Sequence, residues 1–299
     1  MTEAFSDLPR GSREYFQAAA VAAGHELGLF EALPGPAAAL AERLHVGPRR
    51  LYALVRALLL QGALVESDGM LLAGSVLPRR SLPSGGWGHL GRVIREDRPL
   101  FSAGIDGAAG EELRRFHDHL RGAGAGAARE VAELLGPRGP LLDLGGGAGA
   151  YAAAFLEQHP GERAIVVDRP AVLELARAAA PSAELVALDL AGPSPWPRGA
   201  RVALLANVLH LFPAAEAARL VQRAARSVDR GGTVAVKDLD AASEAGILFS
   251  LNMAVYTEGG EVHDTDTLLG FLRDAGLREL RAQPLRSTPD AVLVRGTVR

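Results

Sequence analysis

The first third of the chain alternates apolar and polar positions with the period of helices. From Tyr15 to Leu33, the residues Phe16, Ala20, Leu27, Leu29 and Phe30 recur at roughly helical spacing, and Pro34-Gly35-Pro36 ends the run. Ala37–Leu44 reads as a short helix, and the turn Val46-Gly47-Pro48 after it places a proline where a first helical residue suits it. Arg49–Gln61 is amphipathic and expected to bury Leu51, Leu54, Val55, Leu58 and Leu59, with Gly62 as its stop. Two apolar runs, Ala63-Leu64-Val65 and Met70-Leu71-Leu72, flank Ser67-Asp68-Gly69, which is a hairpin signal. Helix, helix, helix and hairpin is the order of a winged helix, and it predicts such a unit over residues 1–78.

The segment Pro78–Gly110 is rich in Gly, Pro and Ser, has little periodicity, and reads as a linker. Helices are expected over Glu111–Leu120 and Ala125–Leu135, so residues 79–135 are taken as linker and connecting helices. From Gly139 the pattern changes. Short apolar runs (Leu141–Leu144, Ala164–Asp168, Glu184–Leu188, Val202–Ala206 and Thr233–Lys237) alternate with the helical stretches Ala150–His159, Ala171–Ala180 and Ala214–Val228. Nearly continuous apolar strands alternating with helices predict a parallel sheet covered on both faces. Leu280–Pro284 and Ala291–Val298 have no helix between them and are expected to pair antiparallel at one edge. Residues 136–299 are therefore read as an α/β, Rossmann-like domain with an antiparallel edge hairpin.

Composition narrows the partners more than the fold. With 299 residues, 48% hydrophobic and 22% charged, the chain is that of a globular protein of about two domains. The net charge of −3 gives little purchase on phosphates, so nucleic acid is not expected as a partner and a small molecule is. The absence of cysteine removes disulfides, thiolate metal sites and cysteine nucleophiles together. No run is long enough for a membrane span, and the polar N-terminus does not read as a signal peptide, so the expectation is cytoplasmic.

The sharpest chemical signal is Leu141-Leu142-Asp143-Leu144-Gly145-Gly146-Gly147-Ala148-Gly149-Ala150-Tyr151, at a strand end and opening a helix. Glycines there let the backbone turn tightly and approach a ligand, and the helix start offers unpaired N–H groups. The next two expected strands also end in acids. Asp168 is placed to accept hydrogen bonds from ribose hydroxyls, and Asp189 either to reach an adenine amino group or to cap a turn.

These segments, with Leu-Leu-Ala-Asn-Val-Leu-His ending at His210, resemble the S-adenosylmethionine (SAM)-dependent O-methyltransferase family that carries an N-terminal winged-helix dimerisation domain. The resemblance runs from about Glu14 to Val298. It implies SAM binding by Gly145, Gly147 and Gly149, with Asp143 orienting the loop or its ligand. It implies further contacts from Asp168, Arg169, Asp189 and Leu190, and from Ala206 and Asn207 near the methionine half. His210 matches the family's catalytic base, but the Asp-Trp that commonly follows is Leu211-Phe212 here. Phe116, His119, Asn252 and His263 match substrate-facing positions, and a homodimer is expected.

Alternatives stay open on the sequence alone. His210 and His263, with Asp238 or Asp264, raise a metal-assisted C-methyltransferase acting on a keto acid, although the expected metal content is none. A SAM-binding relative that does not transfer the methyl group, a winged-helix DNA regulator and a NAD-dependent dehydrogenase are the others.

Overall fold

The computed structural model describes residues 13–75, 86–100 and 124–299, and by compactness the chain forms two units. One comprises Met1–Gly107 together with Glu244–Gly260; the other comprises Ala108–Ser243 and Glu261–Arg299.

The first unit is built from α1 (Arg13–Leu27), α2 (Ala37–Leu44), α3 (Pro48–Leu60) and the hairpin β1 (Leu64–Ser67) and β2 (Met70–Ala73). A 3-10 turn (Gly86–His89) and α4 (Leu90–Glu96) follow, and α9 (Glu244–Tyr256) returns late in the chain. Pro48 opens α3, whose apolar stripe Leu51, Leu54, Val55 and Leu58 is buried, while Leu59 is half-buried. Asp68 and Gly69, both at positive φ, close the hairpin as a tight turn of matching twist requires.

Three expectations are corrected here. The first helix stops at Leu27 rather than Leu33, because Gly28 takes a left-handed conformation (φ 75°) and terminates it. The stretch read as a linker from Pro78 contains α4, and Trp87 is wholly buried against Phe16 in an edge-on contact of 4.3 Å. Its Trp87, Leu90 and Ile94 do fall at helical spacing, but the flanking glycines and prolines mask so short a pattern. The segment Glu244–Gly260, expected within the 136–299 domain, belongs to the first unit, where Leu248, Leu251, Val255 and Tyr256 join the helical core.

The second unit holds a seven-stranded sheet in the order β5-β4-β3-β6-β7-β9-β8. The strands are β3 (Leu141–Leu144), β4 (Ala164–Asp168), β5 (Glu184–Ala187), β6 (Ala200–Ala206), β7 (Val228–Leu239), β8 (Arg278–Pro284) and β9 (Ala291–Thr297). The first five are parallel, and β9 runs antiparallel to both β7 and β8. The helical residues 124–135 (α5) lie with α6 (Ala150–Gln158) and α7 (Pro170–Ala179) over one face, where Leu141, Val166, Val202, Leu204, Ala206 and Ala235 point. Helices α8 (Ala214–Ser227) and α10 (Thr265–Asp274) cover the other, over Leu142, Val167, Leu205 and Val236. Strand β7 is longer than expected, because it runs through Gly231-Gly232 beside an irregular step in its pairing with β6.

Candidate active site

The site is assembled where the parallel strands end. Beyond β3, Gly145, Gly147 and Gly149 all have positive φ (70°, 58° and 77°), and a side chain on Gly145 would meet Val208 Cγ2 at 2.7 Å. Glycine is therefore demanded both by backbone conformation and by close approach. Asp143, fully buried, accepts a hydrogen bond from the Ala152 N–H in the first turn of α6 (3.2 Å), so β3 itself caps the helix that the loop opens. Burial pushes the Asp143 carboxyl up to about 7, aided by the Asp168 charge and opposed by that bond. Its Oδ1 has no partner among the described residues.

Asp168, ending β4, holds the same loop from the next strand: Oδ2 accepts from Gly147 N–H (2.8 Å) and Oδ1 from Arg169 N–H (2.7 Å). Arg169 caps α7, with Pro170 at its first position. Asp189 accepts from Ala191 N–H at 2.9 Å, closing a turn, and is itself exposed; Leu190 is buried beside Gly145. Beyond β6, buried Ala206 is followed by Asn207 in the left-handed region (φ 58°), a conformation asparagine tolerates. Asn207 Oδ1 accepts from Lys237 Nζ at 2.6 Å.

Three segments bring the second cluster together. His210, in the 3-10 turn Leu209–Leu211, donates from Nδ1 to Asp238 Oδ1 on β7 at 2.6 Å. An ionised carboxylate only accepts, so the imidazole proton is on Nδ1 and the lone pair on Nε2. The His210 backbone N–H (3.3 Å to Oδ2) and the Leu239 N–H (2.9 Å to Oδ1) complete the carboxylate's shell. Burial alone would push the Asp238 carboxyl up. The charge and hydrogen bond of His210, with Lys237 and the Leu239 N–H, outweigh it and hold the group below its usual range. His263 lies close by and is 3% exposed; burial depresses its pKa, against the Glu261 and Asp238 carboxylates and the Leu209 backbone. Its ring stands edge-on to Phe271 at 5.2 Å, and Nε2 has no partner among the described residues.

Asp238, raised from the sequence only as a possible metal ligand, is the carboxylate that the structure sets beside His210. The residues directly after His210 hold no acid, and its carboxylate comes from a strand 28 residues on. An acid just past the apolar run Thr233–Lys237 was the available signal. Asp264, the other acid considered for a metal, caps α10 through the Thr267 N–H, and no cluster of three metal-ligating side chains occurs among the described residues. Asn252, on α9 of the first unit, is buried with its Oδ1 unpartnered among the described residues. Phe116 and His119 lie outside the described residues. In the first unit Arg50 is buried, bonding the Ala254 and Thr257 carbonyls and Asp97, and Arg49 bonds the Glu258 and Gly260 carbonyls.

Comparison with known proteins agrees with this geometry. Residues 117–278 match the model of the O-methyltransferase domain. The chain is 33% identical over 231 residues to bovine acetylserotonin O-methyltransferase, covering 70% of this chain and 66% of that protein. It is 29% identical over 298 residues to 3-hydroxy-5-methyl-1-naphthoate 3-O-methyltransferase of Streptomyces sahachiroi, covering 86% and 84%. In fold it is similar to an O-methyltransferase family 2 protein of Planctomyces limnophilus, solved in complex with apigenin, with TM-score 0.75, 23% identity and coverage of 96% and 94%. With the glycine loop, the acids at the strand ends and the His210–Asp238 pair in one unit, the chain belongs to the O-methyltransferase family and is a SAM-dependent methyltransferase.

Proposed function

We propose that the enzyme methylates a phenolic or enolic hydroxyl of a small secondary metabolite, with His210 as general base and Asp238 as the group that orients it. The single observation that carries this is the buried 2.6 Å bond from His210 Nδ1 to Asp238. It presents Nε2 as a proton acceptor and keeps a counter-charge ready for the imidazolium. SAM supplies a methyl group on a positively charged sulfur. With SAM bound, His210 Nε2 would take the proton of the acceptor hydroxyl as that oxygen receives the methyl group and SAH leaves, and His210 would then release the proton to water. Asp238 stays ionised throughout, and most of the rate comes from holding the oxygen in line with the methyl group.

The residues fit the cofactor. Three loop glycines with positive φ leave the backbone open to close approach, and Asp143 keeps one buried oxygen unpartnered among the described residues. Asp168 and Asp189 stand at the ends of the next two strands as proposed ribose and adenosine contacts, with Arg169, Leu190, Ala206 and Asn207 beside them. For the acceptor, Asn252 and His263 are the proposed contacts, each supported by a buried polar atom that lacks a partner among the described residues. A homodimer through a winged-helix-like first unit is supported by exposed Tyr52, Leu60, Val65, Met70 and Leu72. A cytoplasmic location completes the reading; no described helix is long and apolar enough to cross a membrane.

The test is methyl-labelled SAM with a panel of phenols and enols. The proposal requires label transfer to oxygen by the native enzyme and its loss in His210→Ala, with S-adenosylhomocysteine (SAH) binding retained. Transfer at an unchanged rate in that variant would remove His210 as the base. Light scattering at micromolar concentration decides the dimer.

A further inference from the structure

Lys237 is the single lysine of the chain, and it is buried near the C-terminal end of β7 (5% exposed). Its register partner on β6 is Ala206, and its side chain shares the sheet face of Ala206, Leu204 and Asp143. The small Ala206 leaves the ammonium room to reach the strand ends, where Nζ donates to Asn207 Oδ1 at 2.6 Å. The Asn207 N–H returns a bond to the Lys237 carbonyl at 2.8 Å. Asn207 is exposed, so Nζ lies one hydrogen bond below the surface.

This cation has no adequate counter-charge of its own. No carboxylate of the described residues forms an ion pair with it, and of the ammonium's three donors one is satisfied among those residues. The neighbouring Asp238 points to the opposite face and is committed to His210. On Lys237's own face the acid is Asp143, whose carboxyl burial pushes up to about 7. Burial depresses the pKa of Lys237, against the pull of Asp238. A buried charge is normally paired, and the missing anion is then one that a ligand brings.

We propose that Lys237 reads the α-carboxylate of the cofactor's methionyl half, with Asn207 holding its ammonium in place. The inference rests on the assignment of SAM to the Gly145–Gly149 loop and adds a specificity element to that site. It makes Lys237 a reader of the amino-acid end, with no part in recognition of adenosine.

The discriminating probe is 5′-methylthioadenosine, which keeps the adenosine and sulfur of SAH but has no amino-acid carboxylate. Both are titrated calorimetrically into the native enzyme and into Lys237→Met, Lys237→Gln and Lys237→Arg. The Met and Gln variants are expected to bind SAH roughly 10- to 100-fold more weakly while binding methylthioadenosine within about twofold of native, and Arg to restore part of the difference. Gln keeps a donor for Asn207, so it separates the charge from the local structure should Met fail to fold. Unchanged SAH affinity in a folded Gln variant, or equal weakening for both ligands, overturns the proposal and leaves the SAM site standing. A native enzyme that binds neither ligand overturns both.

Discussion

The glycine loop and the His210 cluster lie in the same unit and are built in opposite ways. The loop is one continuous stretch, Asp143 to Ala152, whose form is set by backbone: three positive φ angles and an acid that caps the helix it precedes. The His210 cluster draws on three segments, around residues 210, 238 and 263, and rests on side-chain contacts between them. The loop has little room for added volume at Gly145 and Gly146, and from outside its own stretch it is held by the Asp168 carboxylate on the Gly147 N–H. The cluster tolerates exchanges of shape but depends on each partner, because a buried imidazole without its carboxylate has no fixed tautomer.

The largest expected effect breaks the cluster alone. Asp238→Asn should lower kcat by roughly 10²–10⁴-fold with SAH affinity within about threefold of native, measured by single-turnover kinetics and calorimetry. The double variant with His210→Ala should be hardly slower than either single change, since the two act as a unit. Multiplicative losses would instead assign them separate tasks. Breaking the loop should do the reverse. Gly146→Ala places a Cβ 2.8 Å from the Asp143 carboxylate and 2.9 Å from Val166, and should cost about 1–3 kcal/mol of stability together with SAH binding. A variant that melts and binds as native does would mean the loop has slack.

A smaller effect sharpens the difference through pH. Asp143 is raised in the folded state to about 7 from 3.8, so the folded chain holds that proton more tightly than the unfolded one. Its contribution is most favourable below about pH 4 and declines as pH rises to about 7, after which it is constant. Asp143→Asn should therefore gain stability relative to native between pH 5 and 8, read as a narrowing or reversal of the Tm difference. A Tm difference that does not change with pH would show that Asp143 is already ionised. The smallest effect concerns His263: replacement by Phe should raise KM for the acceptor about 3- to 10-fold and leave SAH affinity alone. A fall in kcat at constant KM would make it a partner of His210 rather than a substrate contact.

The order of elements in both units was legible because it rests on local periodicity. Helical spacing announced α2 and α3, Asp68-Gly69 the hairpin, and Gly145–Gly149 the strand-to-helix turn. The alternation of apolar strands with helices and the final pair without a helix announced a parallel sheet with an antiparallel edge. Each of these depends on residues within a few positions of one another, which is where backbone sterics and amphipathic pattern act.

Tertiary structure decided the remainder, because it depended on which distant residues meet. Nothing near His210 identified Asp238 as its acid, and the sequence left Asp189 open between an adenine contact and the turn cap that its carboxylate makes at Ala191. The solitary Lys237 acquires a role only through its pairing with Ala206 and its bond to Asn207, thirty residues away in the chain. The assignment of Glu244–Gly260 to the first unit, with Arg50 buried against the Ala254 and Thr257 carbonyls, was equally hidden. Local pattern reports which face of an element is apolar. The partner of a buried charge is chosen by strand order and register, which bring together residues whose separation along the chain carries no signal of their proximity.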